Sequence, residues 1–191
     1  MAKDDIEVEI KIAIPKKKFN DLREQIAKEG TFVQKATQID EYFTPSHRNF
    51  MVAKFPFEWL RLRQNNDKIK INYKHFYPEN AEVTSHCDEY ETEVGNLKTI
   101  EKIFKAIDIK SFAIVEKVRE SFIYQKHFEI SFDQVKDLGT FIEIEALEDF
   151  GGPKNTFAKL CEVARSLGID PTTYELRGYP YLLMKKQGLI K

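Results

Sequence analysis

The chain has 191 residues, enough for one sizeable core, and its 42% hydrophobic and 32% charged residues fit a folded domain rather than a disordered one. Lys and Arg number 30 against 31 Asp and Glu, a balance of −1 that excludes the basic excess of a general nucleic-acid binder. No apolar run approaches the roughly 20 residues needed to cross a bilayer, the first five residues lack a secretory signal pattern, and Cys87 and Cys161 match neither a disulfide framework nor a zinc spacing. The expectation is a single cytoplasmic domain over residues 1–191, with reduced thiols and no membrane or nucleic-acid partner.

Alternation of apolar and charged residues dominates the chain. Ile6, Val8, Ile10 and Ile12 share one strand face, with Glu7, Glu9 and Lys11 on the other, and Pro15 ends that strand. Lys16 to Glu29 predicts a helix with Phe19, Leu22 and Ile26 as its apolar stripe and Gly30 as its stop. Strands are expected at Val33–Phe43, Glu58–Gln64 and Lys68–His75, the last two joined through Asn65-Asn66-Asp67. Thr44 to Phe57 and Tyr77 to Asp88 read as loops, the second as the best candidate for a mobile segment. Asp88 to Val94 is a further strand, Leu97 to Ile107 a short amphipathic helix, and Phe112 to Tyr124 a strand carrying Lys117 and Arg119. Lys126–Asp133 and Thr140–Ala146 alternate again around a turn at Asp137 and Gly139. Pro153 opens a helix through Leu167, and Tyr179 to Lys186 predicts a last one. Eight strands with few helices and hairpin-length connections give an α+β fold: one antiparallel sheet closing into an eight-stranded barrel with helices packed outside.

The charged faces carry the chemistry. Glu7 with Glu9, Glu91 with Glu93, and Glu143 with Glu145 are acidic pairs; Arg61 with Arg63, Lys117 with Arg119, and the single Lys74 are basic. Two-residue spacing puts both members of a pair on one face of a strand. Any one pair reads as a solvated sheet face, with cross-strand ion pairs of about 0.2–1 kcal/mol each. Taken together they suggest more. The opposite faces are apolar, and covering those with helices turns every charged pair inward. There, like charges repel unless a divalent cation relieves the glutamates and a polyphosphate relieves the cations. Oxygen-only ligands suit Mg²⁺ or Mn²⁺ rather than zinc.

Glu7-Val8-Glu9-Ile10-Lys11 resembles the ExExK signature that opens CYTH proteins, the superfamily of class IV adenylyl cyclases and thiamine triphosphatases. Further resemblances follow in the family's order: Gln38, Asp40, Tyr42 and Phe43; Leu60-Arg61-Leu62-Arg63; Tyr73-Lys74; Glu91 and Glu93; Lys117 with Arg119; and Phe132-Asp133 with Phe141-Ile142-Glu143-Ile144-Glu145. The close at Gly178-Tyr179-Pro180-Tyr181-Leu182-Leu183 is similar to that of the class IV cyclase branch. The resemblance implies a triphosphate tunnel. Glu7, Glu9, Asp133, Glu143 and Glu145 would hold one or two divalent metals. Lys11, Arg61, Arg63, Lys74, Lys117 and Arg119 would grip the triphosphate, with Glu91 and Glu93 beside them. Glu9, Lys74 and Tyr42 are the candidate catalytic residues; Lys74, crowded by Arg61 and Arg63, could serve a hydrolase as general base with Tyr42 nearby. The implied reaction is cyclisation of ATP to cyclic AMP and pyrophosphate. The alternatives are hydrolysis of thiamine triphosphate, tripolyphosphate or a nucleoside triphosphate, and capture of polyphosphate or nucleotide without turnover. A homodimer is compatible with exposed outer helices. His47, His75, His86 and His127 are scattered and read as surface or packing residues, and Trp59 as barrel wall.

Overall fold

The computed structural model describes residues 6–66, 68–175 and 178–189, so the first five residues and Asp67 of the 65–67 turn lie outside the described part. The elements in chain order are β1 (Ile6–Glu7), β2 (Glu9–Ala13), α1 (Lys16–Glu29), β3 (Thr31–Pro45), β4 (Glu58–Asn65), β5 (Lys68–Tyr77), β6 (His86–Glu93), α2 (Leu97–Ala106), β7 (Ile109–Tyr124), β8 (Phe128–Val135), β9 (Gly139–Ala146), α3 (Pro153–Ser166) and α4 (Gly178–Lys186). The strands hydrogen-bond in the order β1-β6-β5-β4-β3-β7-β8-β9-β2. That order begins and ends on two pieces of one amino-terminal segment, which is the pairing order of the antiparallel barrel class. Among the described residues nine strands stand where eight are expected, because the first breaks at Val8, where the chain changes neighbours.

One compact unit comprises residues 7–36 and 117–175. Its sheet runs β7-β8-β9-β2, every pairing antiparallel. The apolar alternation resolves into one face made of Ile10, Ile12, Phe122, Ile130, Phe132, Ile142 and Ile144, each at most 2% exposed. Phe19, Leu22 and Ile26 of α1 and Leu160, Val163 and Ala164 of α3 join the same core. The stripe read from the sequence is thus the packing face of α1. Its first turn carries Lys16, Lys17 and Lys18 and no acid, which is unfavourable to the helix dipole. Side-chain hydrogen bonds from Lys16 to Gln134 (3.0 Å) and from Lys18 to the Gly168 carbonyl anchor that end instead.

The other unit comprises residues 37–116 and 178–189 with residue 6. Its sheet runs β3-β4-β5-β6, again antiparallel. Phe43 and Leu62 pack with Phe104 of α2, flanked by Leu60, Ile71, Leu97, Ile100 and Ile109. Helix α4 buries Tyr179, Tyr181 and Leu183. The 44–57 connection holds a short 3-10 turn, Phe50–Val52, in which Asn49 Oδ1 accepts from the Met51 amide (2.9 Å) and Thr44 Oγ1 from the Phe50 amide (2.9 Å). It is tied to the second loop by the Phe55 amide, which donates to Asn80 Oδ1 at 3.1 Å. His75 and His86 stack on Tyr77, with ring centres 4.7 and 5.3 Å apart, so both are packing residues as expected. Trp59, 6% exposed, packs against Tyr42 and Phe112.

Strand β8 begins at Phe128, not Lys126. Gln125 and Lys126 take positive φ (52° and 67°) and make the hairpin turn, which carries no glycine to announce it. At the end of α1 the glycine reading holds, for a steric reason. The Gly30 amide donates to the Ile26 carbonyl at 2.8 Å, and a Cβ there would stand 2.9 Å from the Ile123 carbonyl oxygen and 3.1 Å from that of Ile26. Both obstacles are backbone, so Gly30→Ala should destabilise the fold by about 1–3 kcal/mol. Urea denaturation checks it; a variant as stable as the parent would refute the close approach.

Candidate functional site

The face of the β7-β8-β9-β2 sheet opposite the core carries charge in register. Arg119 stands across from Asp133, Ser121 from Ser131, Ser131 from Glu143, and Glu143 from Lys11. Their side chains form one network. Arg119 grips Asp133 through Nε (2.7 Å) and Nη2 (2.6 Å), and Nη2 also reaches Glu143. Lys117 Nζ donates to Asp133 at 3.0 Å, and Lys11 Nζ lies 3.0 Å from Glu143 and 3.6 Å from Glu9. Asp133 is fully buried and the Lys117 side chain 1% exposed. Burial opposes ionisation of both acids, but Arg119 and Lys117 outweigh it at Asp133, and Arg119, Lys11 and Lys117 outweigh it at Glu143. The Asp133 carboxyl is held below its ordinary range and that of Glu143 well below.

The next row is acidic. Glu9 stands across from Glu145, and Glu145 from Glu129, so three acidic residues lie in register on three neighbouring strands of one face. Like charges in register are unfavourable by themselves. Oxygen-only donors of this kind fit a hard divalent cation, although among the described residues no three His, Cys, Asp or Glu side chains are gathered as ligands of one ion. Glu7, in β1, is partly exposed and is separated from Glu9 by the break at Val8.

In the β3-β4-β5-β6 sheet, register sets Tyr42 across from Arg61, Arg61 from Asn72, and Asn72 from Glu91; it sets Asp40 across from Arg63, and Trp59 from Lys74, which faces Glu89. Asp40, 0% exposed, takes a two-point contact from Arg63 (Nε–Oδ1 and Nη2–Oδ2, both 2.7 Å). Arg61 is held differently. Its Nη1 is 3.6 Å from Asp40 and its Nη2 4.0 Å from Glu89, while its buried Nε has no acceptor among the described residues. Burial opposes its charge, and Asp40, Tyr42 and Glu89 more than compensate. Burial and Asp40 push the Tyr42 phenol above its usual range, and its hydroxyl is bonded to Arg61. Lys74 Nζ is 3.5 Å from Oε2 of Glu89, its partner in register, and Arg61 reaches the same carboxylate.

The structure thus gathers most of the expected residues into one cluster in each unit, leaves Glu7 and Glu93 apart, and adds several. Asp40 anchors both arginines, Glu89 faces Lys74, Asn72 touches Glu89 and Glu91, and Glu129 extends the acidic row. The signal for Glu89 was present, since Glu89, Glu91 and Glu93 alternate on one strand face; only register shows which of the three meets which cation. Glu91 binds Lys70 at 2.5 Å, and Glu93 binds Lys68 at 3.0 Å on an exposed edge.

The buried network makes a pH prediction. Depressed values mean that Asp133 and Glu143 favour folding above the ordinary carboxylate range, about pH 4, and that this contribution fades as pH falls through their folded values. Arg119→Met should destabilise the fold by about 3 kcal/mol or more, because it leaves buried acid under-compensated. It should also move acid unfolding to higher pH. Circular dichroism during acid titration measures this; an unmoved midpoint would count against the network.

A family model described as "CYTH domain" matches residues 5–179. A protein of Methanocaldococcus jannaschii named "putative adenylate cyclase" is 30% identical over 177 residues, which is 91% of this chain and 96% of that one. Among solved structures, a Pyrococcus horikoshii protein superposes with a TM-score of 0.79 at 27% identity, over 94% of this chain and 99% of its own. A Hippeastrum protein, titled a "putative adenylyl cyclase" with "a dominant triphosphatase activity", shares the fold at a TM-score of 0.64 and 17% identity, over 96% of this chain and 95% of its own. With the family model spanning nearly the whole chain and its signature residues set on the charged faces, this protein belongs to the CYTH domain family.

Proposed function

We propose that the protein is a divalent-metal-dependent enzyme that converts ATP to cyclic AMP and pyrophosphate. The observation that carries the phosphate part of this reading is Arg61, a buried guanidinium held by Asp40 and Tyr42 with one N–H lacking an acceptor among the described residues. A buried unsatisfied donor costs about 1–3 kcal/mol, and a phosphate oxygen would satisfy it. The adenylate cyclase name of the 30%-identical relative favours ATP and cyclisation.

Arg61, Lys74, Lys11, Lys117 and Arg119 are proposed to hold phosphate oxygens, and Arg63 to fix Asp40 beside Arg61. Glu7, Glu9, Asp133, Glu143 and Glu145 are proposed to hold Mg²⁺ or Mn²⁺, with Glu129 adding charge to their row. A metal there would neutralise phosphate oxygens and ease departure of pyrophosphate. The 3′-hydroxyl oxygen of ATP attacks the α-phosphorus and the bond to the α,β-bridging oxygen breaks. Glu9 is proposed to receive the hydroxyl proton. The cations absorb the charge that develops on the leaving pyrophosphate. Hydrolysis by water at a terminal phosphorus would draw on the same cations, so the products decide between the two.

Purified protein with Mg²⁺ or Mn²⁺ should yield cyclic AMP and pyrophosphate from ATP, resolved by chromatography. Orthophosphate from ATP, thiamine triphosphate or tripolyphosphate without cyclic product would replace the cyclase with a triphosphatase. Tight binding without turnover would make the protein a capture module. Arg61→Ala should lower turnover on the order of 10²-fold, and Glu9→Gln at least as much.

A further inference from the structure

Glu89 differs from the other two acids on its strand face. Glu91 and Glu93 close on lysines at 2.5 and 3.0 Å. Glu89 instead stands between two cations of the proposed phosphate set without closing on either. Its Oε2 is 3.5 Å from Lys74 Nζ and its Oε1 4.0 Å from Arg61 Nη2, both longer than the roughly 2.7–2.9 Å of a tight charge-assisted contact. Asn72, 1% exposed, donates through Nδ2 to Glu89 Oε1 and, at 3.4 Å, to Glu91 Oε2. A neutral amide thus holds the Glu89 carboxylate beside the two cations. In the same sheet Asp40 is fully buried and bound at two points by Arg63, a contact that side-chain rotation cannot release without stranding a buried charge. The Glu89 side chain is 24% exposed and can turn toward water at low cost.

We propose that Glu89 is the resident counter-ion of Arg61 and Lys74, a stand-in for phosphate that the incoming polyanion displaces, and that Asn72 positions it. This rests on the reading that Arg61 and Lys74 bind phosphate, and it gives Glu89 a role in selectivity. An anion must outcompete a carboxylate already in place, so a singly charged anion gains little while a polyphosphate, which brings several charges, prevails. Lower affinity for every anion is the accompanying effect, and it has a testable sign: removing this acid should strengthen anion binding.

The test is calorimetric titration with inorganic tripolyphosphate in EDTA at low salt, on the full chain. Wild type should bind, Arg61→Ala should bind weakly, and Glu89→Gln should bind about tenfold more tightly than wild type. Glu91→Gln, two residues away on the same face, removes the same formal charge from an acid that serves Lys70, and should change affinity by less than a third of that factor. Glu89→Gln is isosteric and partly exposed, and a thermal melt beside the titration checks that it folds. Wild-type binding with equal or weaker binding by Glu89→Gln would overturn the counter-ion role, as would an equal gain in Glu91→Gln. No binding by wild type or by Glu89→Gln would remove the phosphate reading, and this inference with it.

Discussion

Charges of one sign set two residues apart on a strand leave it on the same face and repel, and they can be buried only if opposite charge meets them from the neighbouring strand. In the β7-β8-β9-β2 sheet, Arg119 bridges Asp133 and Glu143 while Lys117 and Lys11 complete the ring. This pairing lets Asp133 be wholly buried as an ion. It also fixes which way the strands face, because a one-residue slip would bring Ile130, Phe132, Ile142 and Ile144 to the charged side. The apolar core with α1 and α3 and the charged face with its acids are therefore two consequences of one alternation.

The β3-β4-β5-β6 sheet applies the same rule with a difference in how tightly the charges are held. Arg63 and Asp40 form a short two-point contact with no slack, suited to structure. Arg61 and Lys74 share looser partners, and Arg61 keeps a buried N–H without an acceptor among the described residues. Here Arg61, charged, buried and incompletely satisfied, is suited to receive an anion, whereas Arg63, closed on Asp40, is suited to hold the strand. Charge that looks alike in sequence, Arg61 and Arg63, thus divides into two kinds of work because their register partners are Tyr42 and Asp40.

Much of the site could be read from the chain. Each acidic and basic pair falls where strand periodicity puts it, and the apolar residues between them are those that meet the helices. What could not be read was pairing. Glu89, Glu91 and Glu93 are equivalent by alternation, yet one faces Lys74, one binds Lys70 and one sits exposed with Lys68. Asp40 has no second acid two residues away on its strand face, yet it anchors two arginines in the fold. Tyr42 was expected near Lys74, and the fold sets it across from Arg61, to which its hydroxyl is bonded. The Gln125–Lys126 turn was missed because neither residue is a glycine.

The sequence by itself determined most of the strand and helix segments, the two-sided character of each strand and the family, since all of these follow from local periodicity and from residues at fixed spacing. The tertiary structure alone decided the break at Val8, the closeness of backbone that requires Gly30, and the choice of partner for every buried charge. Those depend on register between strands distant in the chain, and local pattern carries no information about register beyond which face a residue occupies.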